Sequence, residues 1–445
     1  MKKYIELVRE IESQLENETI RGGQRLPSIR EMSDQFACSK STVIKAYMEL
    51  ERLHLIYSVP QSGYYAVVKK PESEQMRNRT MIDFTLASPD PGLFPYLDFQ
   101  HCLNKAIDMY RNHLFSYGVS PGLPSLLQVL SKHLANDQVF ARPDQLTITS
   151  GIQQALSILT AMPFPNGKRT VLMEQPSYHL FIQLLQTQGI PVQGIARTEQ
   201  GIDLDQLESW FRTGEIKLFY TMPRFHNPLG TSFTEKTKKA IAELAERYGV
   251  YVVEDDYLAD LEKDTKADPI YAYRASHVIY LRSFSKILFP GLRLGLAVLP
   301  QELQATFNLY KQLSDIDSSM LSQAALEIYL QNGMFDRRKH KIVTSYHNRM
   351  SLLNRALEKH NDLNDVRYAA VRYGVHTHMT FAKSLPIQTL LDRLRKRNIL
   401  LKKLDQCFID AFEKTPMLKL SISGVEEARI DEGVRAIFEE IRRMI

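Results

Sequence analysis

From about Ile82 onward, short apolar runs alternate with helical segments, and this alternation limits the possible folds more than any other feature. The runs read QLTITSG, TVLMEQ, KLFYTM, VYVVEDDY, HVIYLRS and LRLGLAVL. Apolar runs of this length, separated by helices, are typical of buried strands in a largely parallel sheet. The sequence therefore predicts a large α/β domain.

After about residue 305 the pattern changes to long amphipathic helices, including one over RRKHKIVTSYHNRMSLLNRALEKH. The runs GVHTHMTFA and MLKLSIS follow and look like strands of a second unit. A chain of 445 residues is long enough for two or three domains. We predict a large part from about 82 to 305 and a smaller α/β part from about 306 to 445.

The first 68 residues have a different pattern, with three short helices followed by a hairpin. Apolar residues at helical spacing run from Ile5 to Leu15, before the glycine pair at 22–23. Ser28, with a glutamate three residues later, predicts a capped helix, and Ser39 predicts the start of the next one. The stretch LIYSVPQSGYYAVV then indicates two strands joined by a turn over 60–63. This order predicts a winged helix-turn-helix over 1–68, while an ordinary three-helix part of a larger domain is the alternative.

Specific strings in this segment resemble the DNA-binding domain of GntR-type regulators. They are LPSIRE at 26–31, SKSTV at 39–43, AY at 46–47 and SG at 62–63. The resemblance implies that DNA is contacted by Arg30, Ser39, Lys40, Ser41 and Thr42, with a wing at Ser62 and Gly63. A helix N-terminus offers backbone N–H groups to a phosphate, and an arginine fork suits guanine or phosphate. Lys40 departs from the family, which more often has arginine there, so bidentate base recognition at this position is weakened.

Residues 69–81, KKPESEQMRNRTM, lack an apolar period and are predicted to form a linker between the two parts. The N-terminus carries charges among its apolar residues, and no run approaches the length of a membrane-spanning helix. Cys38, Cys102 and Cys407 are far apart in sequence, which fits a reducing compartment and argues against a metal site. We therefore expect a cytoplasmic protein, without a membrane partner or a bound metal. The net charge of +5 permits an anionic partner but does not demand one.

Polar residues at the predicted strand ends form a set that fits one cofactor. Ligands bind at the carboxyl ends of strands in such sheets. Each residue has a plain structural explanation by itself: Lys286 as a solvated loop lysine, Tyr178 as a half-buried loop tyrosine, and Asn227 as part of an Asn-Pro turn. Together with the helix start at Gly151, Ile152 and Gln153, and with Asp255, Tyr257, Ser283, Ser285 and Arg293, they supply phosphate anchors, a stacking ring, a carboxylate and an amine. This set fits pyridoxal 5′-phosphate (PLP), with the lysine forming a Schiff base and the aspartate opposite the ring nitrogen.

Residues 82–445 are similar to fold-type I aminotransferases, and with the GntR-type segment the chain resembles the MocR group of regulators. The resemblance implies that Lys286 carries the internal aldimine and that Asp255 pairs with the pyridine nitrogen. It implies that Asn227 and Tyr257 bond the phenolate oxygen and that Tyr178 stacks on the ring. Phosphate contacts are implied for Ser283, Ser285, Arg293 and the turn at Gly151. YGVSPGLPSL resembles the stretch whose tyrosine reaches the neighbouring subunit's phosphate, so Tyr117 is expected to complete the site across a homodimer.

Lys419 departs from the aminotransferase pattern. Aminotransferases of this fold hold the substrate carboxylate with a late-strand arginine, and the matching string here is LKLSIS. A lysine attracts a carboxylate as a point charge but lacks the bidentate fork. This favours a DNA-binding regulator that senses PLP, an amine or an amino acid over a working aminotransferase with a tethered DNA-binding module. An α/β domain with an inactive pocket is the third alternative.

Overall fold

The computed structural model describes residues 3–17, 19–53, 55–59, 62–67, 81–86, 89–263, 267–382 and 384–445. The chain divides into two compact units, Met1–Thr80 and Met81–Ile445. Residues 69–80 of the predicted linker lie outside the described ranges. Within those ranges, no helix combines the length and apolarity needed to span a bilayer, and no group of three or more His, Cys, Asp or Glu side chains could hold a metal ion.

Three helices and a hairpin form the N-terminal unit. In chain order they are α1 (Lys3–Glu16), α2 (Ile29–Gln35), α3 (Lys40–Arg52), β1 (Ile56–Val59) and β2 (Gly63–Ala66). The two strands are antiparallel. The predicted winged helix-turn-helix is thus present, although α1 ends before the glycine pair at 22–23. Pro60 and Gln61 of the predicted turn lie outside the described residues.

Serine caps begin both helices of the helix-turn-helix, as predicted. The Ser28 hydroxyl accepts the N–H of Glu31 at 3.2 Å, and the Glu31 carboxylate accepts the N–H of Ser28 at 2.7 Å. The Ser39 hydroxyl accepts the N–H of Thr42 at 3.2 Å. The buried Tyr47 of α3 donates its hydroxyl proton to the carbonyl of Pro27 at 2.7 Å, which ties α3 to the residue that precedes the first cap.

The C-terminal unit contains two main sheets with helices around them. Its strands are β3 (Ile82–Asp83), β4 (Leu146–Thr149), β5 (Thr170–Gln175), β6 (Val192–Thr198), β7 (Gly201–Ile202), β8 (Ile216–Thr221), β9 (Tyr251–Asp255), β10 (Val278–Ser283), β11 (Gly295–Val298), β12 (Val366–Tyr368), β13 (His376–Phe381), β14 (Ile399–Leu400), β15 (Lys402–Lys403) and β16 (Met417–Ser421). Its helices are α4 (Tyr96–Tyr110), α5 (Pro124–Ala135), α6 (Ile152–Ala161), α7 (His179–Thr187), α8 (Leu204–Arg212), α9 (Glu235–Tyr248), α10 (Gln301–Asp315), α11 (Met320–Gln331), α12 (Met334–His360), α13 (Ile387–Lys396) and α14 (Ile430–Arg442).

The large sheet has the spatial order β4-β11-β10-β9-β8-β5-β6-β7 in the described chain. Neighbours from β10 to β6 are parallel, as predicted, whereas β11 is antiparallel to both β4 and β10. No α-helix connects β10 to β11, and a parallel connection usually needs such a crossover. Because β4 and β10 both oppose β11, they run in the same direction. The carboxyl ends of β4, β9 and β10 therefore meet at one edge of the sheet.

Alternate side chains along these strands enter two separate cores. Phe219 and Val252 belong to the core on one face of the sheet, while Tyr220 and Val253 belong to the core on the other. Strands buried on both faces read as continuous apolar runs, and this explains why they were visible in the sequence.

The second sheet is antiparallel, with the order β12-β13-β16-β15, and α14 packs on the long helix α12 nearby. Strand β3 pairs with β14, so residues 82–83 run beside the late chain instead of the large sheet. Helix α11, by contrast, packs on α4 and α5. These contacts place β16 and β15 where they can face the strand ends of the large sheet.

Candidate functional sites

A cavity of about 380 Å³ lies at the carboxyl edge of the large sheet, a size typical of small-molecule sites. Among the described residues, the predicted site residues that line it are Gly151, Ile152, Gln153, Tyr178, Asn227, Asp255, Tyr257, Ser283, Ser285, Lys286, Arg293 and Lys419. They come from segments as far apart as α6 and β16, so the fold brings the predicted set around one space.

One end of the cavity is suited to a phosphate. Gly151 has φ +91° and precedes α6, whose first N–H groups lack partners within the helix. Arg293 donates from Nη2 to the carbonyl of Ser150 at 3.0 Å. A Cβ added at Gly151 would lie 3.0 Å from that same nitrogen, so a larger residue there would push the guanidinium aside. A helix N-terminus and an arginine together form an anion site.

Asp255 supplies a buried carboxylate at the end of β9. Its Oδ2 accepts the hydroxyl proton of Tyr220 at 2.6 Å, while its Oδ1 is buried without a hydrogen-bond partner among the described residues. Burial raises the pKa of Asp255 to about 7, although Tyr220 and Lys286 oppose this shift. A buried acceptor of this kind is costly alone, and a protonated ring nitrogen of a ligand would satisfy it.

Strand alternation predicts that the carboxylates on either side of Asp255 point away from it, and in the structure both have other partners. Glu254 accepts the N–H groups of Ile270 and Tyr271, each at 2.9 Å. Asp256 forms a buried ion pair with Arg224. Asp255 is therefore the only one of the three acids that faces the cavity.

Lys286 supplies the amine, in the loop after β10. Burial lowers its pKa, and the nearby Asp255 partly offsets this effect. A lowered pKa increases the fraction of neutral amine, which is the nucleophilic form. The position is therefore suited to condensation with a carbonyl group.

Three further predicted residues lie close to these groups. The Tyr178 hydroxyl accepts from Gln153 Nε2 at 3.2 Å. Tyr257 donates its hydroxyl proton to the carbonyl of Phe225 at 2.7 Å, so the predicted bond to a phenolate requires that proton to turn into the cavity. The amide oxygen of Asn227 accepts from Lys419, which leaves its NH₂ group for a ligand oxygen.

The other end of the cavity is basic, and most of it was not predicted from the sequence. Lys419 of β16 donates to Asn227 Oδ1 at 2.8 Å. Its pKa is lowered to about 7, mainly by burial and then by the charge of Lys286. Unpredicted lining residues include Thr85, His179, His376, Lys402, Lys403, Cys407 and Ser421. The adjacent lysines after the apolar stretch ILL were the one visible signal for this part of the site.

Tyr117 does not line this cavity and is 82% exposed. One chain therefore does not bring it together with the other predicted residues. Its role across a dimer stays a prediction.

The predicted DNA-contacting residues of the helices are polar, and most of them are exposed on the N-terminal unit. Arg30, Ser39, Lys40 and Ser41 are exposed, and Thr42 is half-buried. The Ser39 hydroxyl lies 2.8 Å from the hydroxyls of both Ser41 and Thr42 at the start of α3.

The hairpin holds the predicted wing residues, and beside it lies one residue that sequence reasoning missed. The Ser62 hydroxyl lies 2.5 Å from that of Tyr65. Gly63 has φ +110°, and a Cβ there would lie 3.3 Å from Arg25 Nε. The exposed Arg25 therefore adds a positive charge beside the wing.

Comparison with known proteins matches these two units separately and together. The family described as aminotransferase class I and II matches residues 91–437, and the family described as bacterial regulatory proteins, gntR family, matches residues 3–65. The chain is 52% identical to the HTH-type transcriptional regulator YcxD of Bacillus subtilis (strain 168) over 445 residues, covering 99% of this chain and 100% of that protein.

Two solved structures resemble the larger unit. LysN, an alpha-aminoadipate aminotransferase from Thermus thermophilus, has a TM-score of 0.74 at 25% identity. The kynurenine aminotransferase of Pyrococcus horikoshii has a TM-score of 0.76, also at 25% identity. Each match covers 84% of this chain and 95% of the other.

Proposed function

The chain belongs to the aminotransferase class I and II family and is a transcriptional regulator with a gntR-type DNA-binding domain, and on this premise we propose that PLP and a small amine or amino acid control it. The observation that carries the proposal is the buried Oδ1 of Asp255, which has no partner among the described residues, in the same cavity as Lys286. The carboxylate, the amine and the phosphate-suited helix start fit PLP in chemistry and number. When bound, PLP supplies an aldehyde that reacts with primary amines and a ring that withdraws electrons.

The residues of the chain divide the work of holding this group. The helix start at Gly151 and the guanidinium of Arg293 bind the phosphate. Asp255 Oδ1 would accept a hydrogen bond from the protonated ring nitrogen. Tyr220 donates a hydrogen bond to Oδ2 and so keeps the carboxylate in place. Tyr178 would pack against the ring, and Lys286 would supply the amine that reacts with the aldehyde.

The residue predicted to meet a substrate carboxylate, Lys419, favours a sensing function over catalytic turnover. The resemblance of LKLSIS to the aminotransferase pattern places Lys419 at the position of the carboxylate-binding arginine. Its pKa of about 7 leaves it only partly charged at neutral pH. A lysine also lacks the bidentate geometry that orients a substrate carboxylate. An active aminotransferase is the second candidate, because the cavity keeps the other predicted residues. Sustained production of keto acid from an amino donor would favour this second candidate, whereas one stoichiometric spectral change would favour sensing.

We further propose that the regulator is a homodimer with two DNA readers. The exposed Tyr117 is available to a second subunit, and a symmetric pair of winged helices would contact two half-sites. A ligand then changes DNA binding only through its different affinity for two arrangements of the dimer. The natural location of such a protein is the cytoplasm, where DNA and PLP are both available.

The first test is the absorbance of the full-length protein with added PLP after desalting. A band at about 410 to 430 nm is a general property of lysine-bound PLP. We expect this band in the wild type and in Lys403→Ala, and its loss in Lys286→Ala. Absence of the band from the wild type, or its persistence in Lys286→Ala, would refute the proposed cofactor site.

The second test concerns DNA. Arg30→Ala should weaken binding to a duplex selected from a random pool on the wild-type protein, by about 10-fold or more if the arginine contacts a base. Arg52→Ala is the matched control, because Arg52 is exposed near the end of α3 and pairs with Glu49 at 2.6 Å. Fluorescence anisotropy of the labelled duplex measures both. Equal effects of the two substitutions would argue against the predicted contact surface.

A further inference from the structure

Two lysines enter the basic end of the cavity from neighbouring strands. Lys402 of β15 lies directly opposite Lys419 of β16 in the antiparallel register, and both line the cavity. Side chains directly opposite each other in an antiparallel pair project from the same face of the sheet. Their two ammonium groups are therefore available to one ligand.

The adjacent Lys403 differs from Lys402 in its electrostatic partner. Lys403 Nζ lies 2.9 Å from Asp405 Oδ2, so its charge is locally balanced. The Lys402 side chain, in contrast, makes no hydrogen bond or ion pair with another residue in the described part of the chain. Two neighbouring lysines that both line the cavity thus differ in the charge that they offer to a ligand.

The charge balance of the cavity leaves room for two anionic groups. Asp255 is the one carboxylate among its described lining residues, whereas five lysines and arginines line it: Lys286, Arg293, Lys402, Lys403 and Lys419. Under the proposed function, Arg293 serves the phosphate and Lys286 serves the aldehyde. Lys403 is balanced by Asp405, so Lys419 and Lys402 remain for the ligand.

The lysine pair is also electrostatically unfavourable without an anion. The pKa of Lys419 is lowered to about 7 by burial, by Lys286 and, with a smaller effect, by Lys402. An anion between these groups would favour their charged forms, since opposite charges within a few ångströms attract more strongly in a partly buried site than in water.

Building on the proposed function, we propose that the effector is an acidic amino acid, with its α-carboxylate at Lys419 and a second anionic group at Lys402. Lys402 is then the residue that selects acidic ligands over their neutral amides. The cavity volume suits such a small molecule together with the cofactor.

The test compares acids with their amides of nearly equal shape on the full-length, PLP-loaded protein. Titrations of L-glutamate against L-glutamine, and of L-aspartate against L-asparagine, follow the shift of the cofactor band. We expect at least one acid to bind about 10-fold or more tightly than its amide, the effect of one charge-assisted hydrogen bond. Lys402→Met should remove this preference, while Lys403→Met should keep it.

A second measurement does not depend on the cofactor. Glutarate has two carboxylates and no amine, whereas butyrate has one carboxylate, and each can be added to PLP-free protein in a thermal unfolding experiment. We expect glutarate to raise Tm more than butyrate in the wild type and in Lys403→Met, but not in Lys402→Met. If the wild type showed no PLP band but did show this glutarate pattern, the proposed cofactor would be refuted and the anion subsite would remain supported.

Four results would overturn the inference. The first is equal binding of acids and amides by the wild type, and the second is equal Tm shifts from glutarate and butyrate. The third is the same loss of acid preference in Lys402→Met and Lys403→Met, which would show a general effect of positive charge. If Lys402→Met instead weakened acids and amides alike, both lysines would hold one carboxylate, and this too would refute a second anionic subsite.

Discussion

The two ends of the cavity hold their charged groups in different ways. At the end formed by the large sheet, Asp255 is buried and fixed by Tyr220, and Arg293 is fixed against the Ser150 carbonyl. At the other end, Lys419 and Lys402 are long side chains on short antiparallel strands, and Lys402 is exposed. The comparison indicates a preorganised end for a constant group and a more adaptable end for a variable one.

The largest expected effect is a difference in stability between substitutions of two adjacent carboxylates, Asp255 and Asp256. Asp256→Asn should lower the free energy of unfolding by about 3–5 kcal/mol, because it leaves the buried Arg224 without its counter-charge. Asp255→Asn should not lower the stability of PLP-free protein, because the buried carboxylate is itself unfavourable when charged, but it should weaken PLP binding by about 10- to 100-fold. Urea unfolding and PLP titration measure the two effects. If Asp255→Asn reduced stability as much as Asp256→Asn, Asp255 would have a structural role instead.

The next effect is a pH dependence with opposite signs at the two ends in PLP-free protein. The pKa of Asp255 is raised to about 7, so between about pH 4 and 7 the folded state keeps a proton that the unfolded state has lost. Its contribution to stability therefore falls as pH rises, by at most about 1.4 kcal/mol per pH unit. The pKa of Lys419 is lowered to about 7, so above pH 7 the unfolded state binds the extra proton and stability rises with pH up to about 10.

Urea unfolding across the pH range gives these contributions as differences between wild type and variant. The difference in unfolding free energy between wild type and Asp255→Asn should change with pH below pH 7. The corresponding difference for Lys419→Met should change with pH above pH 7, with the opposite slope. Difference curves with the same slope, or two flat curves, would contradict the contrast between the two ends.

The smallest effect tests the tight contact at the phosphate end. Gly151→Ala and Gly167→Ala each place a side chain at positive φ, which costs about 1 kcal/mol of stability. A Cβ at Gly151 also meets Arg293, whereas nothing lies within 4 Å of one at Gly167. Only Gly151→Ala should therefore weaken PLP binding, by about 10-fold, because it displaces the guanidinium. Similar PLP affinity in both variants would show that Arg293 does not contribute to phosphate binding.

Prediction from sequence succeeded where local patterns carry the information. The serine caps at Ser28 and Ser39 and the continuous apolar strands of the large sheet were all recognisable, because capping and two-sided burial leave a mark on adjacent residues. Strand β6 was missed, since VQGIART alternates between exposed and buried positions and contains no apolar run. Strand β3 is only two residues long, and its partner β14 lies more than 300 residues away in the chain.

The candidate site likewise combines residues that the sequence indicates with residues that it does not. Gly151, Asp255 and Lys286 follow predicted strands and could be proposed as cavity residues from sequence, although their roles stay predictions. Lys402 and His376 were not proposed. The adjacent lysines after ILL mark only a basic stretch, and nothing near either residue indicates that β15 and β13 face the carboxyl edge of another sheet.

The sequence by itself determined the two kinds of unit, the helix caps and the candidates at the strand ends, because each depends on residues close together in the chain. Only the tertiary structure decided which charges share the cavity and which are already paired. Lys402 and Lys403 are adjacent lysines that the sequence does not distinguish. In the structure, Lys403 lies 2.9 Å from Asp405, whereas Lys402 faces Lys419 across a strand pair. Charge balance and burial depend on distances between segments remote in sequence, and those distances are set by long-range packing.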